Sequence, residues 1–160
     1  MNKKILMLTI VLLALSMIII SPVKAITKAP YWEEAQFGAP GTPGKQWMAN
    51  GILHIADMPW SGSYNGTLGI GTMDVMYKHI MLNTETGEGI SFATWVITIG
   101  ENTMSGSANG KITGGLEGIA EGYFRGTHGT GAFEHIQKMG TYSANLTTGI
   151  LEAEGVIIYH

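Results

Sequence analysis

The sequence predicts an all-β protein, a single antiparallel β-barrel of about seven or eight strands, after an N-terminal signal peptide and an irregular lead-in. Three observations carry that expectation. From Trp47 onward apolar residues recur with a period of two, and turn residues arrive at intervals of roughly eight to twelve positions. Glycine supplies 23 of the 160 residues, all of them after position 25, about twice the ordinary share of ~7%, which leaves little room for long helices. Many of these glycines also fall inside the strands. Glycine weakens a flat strand, but a small closed sheet must bend strongly and bring neighbouring backbones close together. A barrel therefore fits better than a sandwich.

Residues 1–25 have the layout of an export signal. Lys3 and Lys4 precede an apolar run from Ile5 to Ile20 broken only by Thr9 and Ser16, and Val23 and Ala25 place small residues where signal peptidase reads them. The mature chain then begins at Ile26 and lies outside the cytoplasm, secreted, periplasmic or at the cell surface. A retained anchor is the competing reading, but the 16-residue run falls short of the ~20 residues that span a bilayer as a helix. Cleavage leaves no stable membrane span.

Residues 26–46 carry Pro30, Pro40, Pro43, Gly38, Gly41 and Gly44 and read as an irregular lead-in. The barrel domain is expected over 47–160. Its first strand runs from Gly51 to Asp57 and is closed by Pro59. Thr67 to Leu82 is too long for one flat strand, and Gly69 and Gly71 suggest a bend. Asn83 to Gly89 supplies a turn. Ile90 to Ile99 is apolar on both faces and is expected to run centrally. Thr103 to Lys111 is rich in Ser and Gly and is placed at the surface or along an edge, where Gly110→Val should cost less than Gly131→Val. Leu116 to Thr127 sets Leu116, Ala120 and Phe124 with Gly118, Gly122 and Gly126 on one face, and Glu117, Ile119, Glu121, Tyr123 and Arg125 on the other. Gly140 to Thr147 and Ile150 to Tyr159 form the last two strands, joined at Thr148-Gly149.

The segment Gly129-Thr130-Gly131-Ala132-Phe133-Glu134-His135, followed by Gly140-Thr141-Tyr142, resembles a G-x-G-x-F pattern of small exported barrels of the allene oxide cyclase and dirigent type. The resemblance covers about the last 45 residues. It implies an eight-stranded layout; the G-T-G turn itself is expected to need positive φ at Gly131, with Phe133 dropping from it into the barrel end. It carries over no catalytic residue and hence no activity.

Composition closes several functional classes. The chain has no cysteine, so disulfides, thiolate metal sites, thiol nucleophiles and a lipidated N-terminal Cys are excluded. Without Lys3, Lys4 and Lys24 the mature chain holds six basic against 12 acidic residues, a balance that repels nucleic acid. The five histidines show no H-x-H or H-E-x-x-H spacing, so no metal site or cofactor is expected. Glu117 with Glu121, and Glu152 with Glu154, share strand faces but read as solvated carboxylates. No catalytic residue is assigned.

Aromatic content remains. Trp47 and Trp60 flank the first strand near an expected barrel mouth, Trp95 lies on the central strand, and His54 lines the interior if Ile52 and Ala56 face inward. These four form the candidate ligand site. The expected function is non-enzymatic binding of an apolar small molecule or a surface partner. The alternatives are a cyclase or isomerase acting on a lipid-like substrate in the lumen, and a structural component of the cell envelope. The oligomeric state is left open.

Overall fold

The computed structural model describes residues 26–160; the expected signal peptide lies outside the described residues. Ten strand segments build the molecule: β1 (Thr27–Phe37), β2 (Lys45–Ala49), β3 (Ile52–Ala56), β4 (Met58–Gly66), β5 (Gly69–Asn83), β6 (Gly89–Ile99), β7 (Asn102–Thr113), β8 (Ile119–Gly129), β9 (Ile136–Asn145) and β10 (Ile150–Tyr159). All pairings are antiparallel, and β5–β6 closes the sheet into an eight-stranded barrel. Ten segments make eight staves because two staves are broken. β3 and β4 follow one another along β5, Ile52–Ile55 opposite Ile80–Asn83 and Met58–Gly66 opposite Gly69–Tyr77, with Asp57 at φ 55° at the break. β1 and β2 flank them on the other side. Asn50 and Gly51, at φ 51° and 77°, make the tight two-residue turn between β2 and β3.

The irregular lead-in expected over 26–46 is corrected by β1. Tyr31, Glu33, Ala35 and Phe37 are buried while Trp32, Glu34 and Gln36 face out, a period of two that the charge at Glu33 conceals. Pro30 is tolerated because the β4 pairing stops at Glu33, so β1 has one neighbour there, as an edge does. Only residues 38–44 are irregular. A second correction concerns β7, which is no edge: it pairs with β6 on one side and β8 on the other. Its small residues make room for Trp95. A Cβ on Gly106 would stand 2.5 Å from Trp95 Cζ2, and one on Gly126 in β8 would stand 2.5 Å from Cη2.

Two smaller differences have the same origin in the broken staves. The bend of β5 is a bulge between Tyr77 and His79, where the strand changes partner from β4 to β3. Pro59 does not close a strand but sits second in β4. The phase expected for β8 holds, with Ala120 and Phe124 buried and Glu121, Tyr123 and Arg125 exposed. After β8, Gly131–Phe133 forms one 3-10 turn with Gly131 at φ 57° and Phe133 buried. Among the described residues no helix is long and apolar enough to cross a membrane.

Candidate functional site

The middle of the barrel is filled by side chains. Trp95, Phe124 and Tyr31 meet there, Trp95 edge-on to Phe124 with centroids 6.5 Å apart. Among them lies the ammonium of Lys138, fully buried and bonded to Glu33 Oε2 and Tyr31 Oη, each at 2.5 Å. The Tyr31 hydroxyl donates to Glu33 and stands 3.2 Å from the Tyr64 hydroxyl. Trp95 covers the ammonium at 4.2 Å, and the Tyr31 and Phe124 rings lie at 4.7 and 5.1 Å. The charge is thus both paired and cradled by aromatic faces, the two conditions under which a cation survives burial. Burial lowers the Lys138 pKa to about 8 against the opposing attraction of Glu33. Burial also raises the Tyr31 and Tyr64 hydroxyls well above their usual value, helped by the Glu33 charge.

A lysine near neutrality can act as nucleophile or base, but this one has no room for a substrate. The void beside it, between Trp95, Phe124, Trp60 and Tyr77, has a volume of about 30 Å³, space for on the order of two water molecules.

Trp60 and Tyr77 separate that void from a larger one. At the end of the barrel where β7 hands over to β8 and β9 to β10, a cup of about 300 Å³ opens. Ile55, Ile80 and Ile112 form its wall, Trp60 and Tyr77 its floor, and Leu116 and Leu146 part of its rim. The 38–44 segment straps its remaining side, contributing Pro40 and Pro43. The strap is held by backbone bonds from Gly38 to Ser61 and Gly41 to Pro59, and by the Trp60 indole, which donates to Gly38 O. Phe37 stacks on Trp60 with centroids 5.2 Å apart and planes 29° apart, which fixes the floor. Burial pushes the Tyr77 hydroxyl above its usual pKa, so the cup presents neutral groups at physiological pH.

The four residues picked from sequence do not form one site; the structure brings them together as two pairs, Trp60 with Trp95 around the small void and Trp47 with His54 outside. Trp60 lies in the cup and Trp95 in the filled lumen. Leu53 and Ile55 take the inward face of β3, so His54 points outward; there it meets His79, Nδ1 to Nε2 at 3.0 Å, beneath Trp47, whose ring lies 5.0 Å from that of His54 at 6°. This stack braces the β2–β3 hairpin against β5 on the outer face of the sheet. The residues missed are Glu33, Lys138 and most of the cup wall. A signal for the first two was present. Glu33 shares its phase with Tyr31, Ala35 and Phe37, and Lys138 with Tyr142 and Ala144, so opposite charges occur at inward positions of two strands.

No protein-family model matches the chain, and no curated protein matches it. The functional reading therefore rests on this geometry.

Proposed function

We propose that the protein is an exported, non-enzymatic β-barrel that holds a compact apolar molecule in the cup at its mouth. The observation that carries this reading is the cup itself: about 300 Å³ of space walled by isoleucines and floored by Trp60, in a barrel whose lumen is otherwise packed. That volume stands at the lower end of the ~300–1,000 Å³ range of ligand sites, which favours a compact ligand over a long acyl chain. Lys138 sits behind Trp60 and Tyr77 and serves the packing of the lumen, which gives the cyclase or isomerase alternative no reacting group at the ligand. The test is a titration with a neutral naphthalene-based fluorophore, read by Trp60 quenching. Saturable binding is expected in the parent protein and loss of it in Leu116→Trp, which fills the rim without disturbing the core. Absence of saturable binding, or equal binding by the filled variant, would refute the reading. Export is tested separately: N-terminal sequencing of secreted material should begin at Ile26, and recovery of Met1 would contradict it.

A further inference from the structure

The outer face of the barrel carries a second feature, remote from the cup. A broad depression of about 750 Å³ lies across β6 to β10. Its floor is backbone, because the row Ser91, Gly110, Gly122, Tyr142 and Ala153 takes the inward face of the sheet. Over this floor the register aligns one row of outward side chains. Phe92 stands opposite Asn109, Asn109 opposite Tyr123, Tyr123 opposite Thr141, and Thr141 opposite Glu154. The two aromatic members, Phe92 and Tyr123, are 46% and 68% exposed. Single exposed apolar residues are ordinary, but rings aligned in one register row over a depression are not. In the adjacent row Glu34, Glu121 and Glu152 face outward with Lys111, so the face is net acidic.

Physical chemistry narrows the occupant. Strands β7 to β10 are paired on both sides, so no free edge exists for an added peptide strand. The carboxylates repel polyphosphates and nucleic acid. A second copy laid on the same face would set carboxylate against carboxylate. What fits aromatic rings alternating with amide, hydroxyl and carboxylate groups is a ligand with flat C–H faces and donor-rich edges, which describes a sugar ring. The C–H face stacks on an aromatic ring, and the hydroxyls or ammonium groups donate to carboxylates in charge-assisted bonds. Phe92 and Tyr123 stand two strands apart, about 10 Å at ordinary strand spacing. A row of that length takes a chain of sugars rather than one.

We propose that this face binds a glycan chain built from amino-bearing sugars, laid across the strands with its rings on Phe92 and Tyr123 and its ammonium groups toward Glu121, Glu152 and Glu154. The experiment is calorimetric titration of the full protein with a glucosamine hexamer, with cellohexaose as the neutral control and oligogalacturonate as the acidic one. The expected result is saturable binding of the glucosamine hexamer, weaker binding of cellohexaose and none of oligogalacturonate. Phe92→Ala and Tyr123→Ala alter exposed side chains and should each weaken binding about 10-fold or more while the circular dichroism spectrum stays unchanged. Glu152→Gln with Glu154→Gln should remove the preference for the amino sugar. Absence of binding, binding indifferent to both aromatic variants, or equal affinity for cellohexaose would overturn the proposal. So would a dimer in size-exclusion chromatography that Tyr123→Ala splits, since the face would then be an interface between copies. The Leu116→Trp variant should bind the hexamer normally, which separates this site from the cup.

Discussion

Replacing Lys138 by Met should cost more stability than replacing Lys138 and Glu33 together. The ammonium is fully buried, the Glu33 side chain is 2% exposed, and the two stand 2.5 Å apart. Removing Lys138 leaves a carboxylate in the lumen with only the Tyr31 hydroxyl to satisfy it, and breaking a buried pair in this way typically costs about 3–5 kcal/mol. Against a total stability of about 5–15 kcal/mol that is a large fraction, and it should lower Tm by roughly 10–20 °C. In the double variant Glu33→Gln/Lys138→Met no charge is buried. The amide can still accept from Tyr31, and the Met side chain can fill the space beneath Trp95 and Phe124. Its loss should therefore fall to about 1–2 kcal/mol, the size expected for imperfect repacking. Urea unfolding of the three proteins, followed by Trp fluorescence, measures both differences. A Lys138→Met single variant as stable as the parent, or a double variant no more stable than the single one, would show that the pair does not govern the lumen as argued.

Three further outcomes follow from the same structure. Stability should rise with pH from about 8 toward 10, because folded Lys138 releases its proton near 8 while the unfolded chain holds it to the ordinary lysine value of 10.5. Above pH 10 it should fall again, since Tyr31, Tyr64 and Tyr77 keep their protons in the fold and lose them when unfolded; thermal unfolding across pH reads both limbs, and Lys138→Met should abolish the rising one. Phe133→Ala should cost about 3–5 kcal/mol by emptying a buried aromatic site, and an unchanged denaturant midpoint would place that ring outside the barrel end. Gly131→Val and Gly110→Val should both destabilise strongly: Gly131 sits at φ 57° with a Cβ position 2.2 Å from Asn102 Oδ1, and a Cβ on Gly110 would meet Tyr142 Oη at 2.4 Å and Glu121 O at 2.5 Å. A soluble, parent-like Gly110→Val protein would contradict that packing.

The Gly110 result marks where sequence reading reaches its limit. Period-two alternation makes the strand class, the phase of β8 and the β9–β10 hairpin legible, because each depends on which face a residue takes. Whether a strand has neighbours on both sides depends on closure of the sheet, which alternation does not encode. So β7, small and polar, reads as an edge although its Gly106 accommodates Trp95 and its Gly110 the Tyr142 hydroxyl. β1 is concealed for a related reason, since an inward Glu33 breaks the apolar pattern and its partner Lys138 lies 105 residues away. The cup is less legible still. Trp60 is recognisable as an aromatic near the mouth, but the wall is assembled from β3, β5, β7 and two turns whose residues look like ordinary core. Trp47 and His54 attract notice by type and then pack on the outside, because one residue of phase in β3 decides which face they occupy.

The central claim is that the cup holds a compact apolar molecule, and native mass spectrometry of the protein purified from its own host tests it most directly. The account predicts a species heavier than the bare chain by one small molecule, which dissociates in organic solvent and is missing from Leu116→Trp prepared in the same way. A bare mass for the parent protein, or the same adduct on the filled variant, would contradict it.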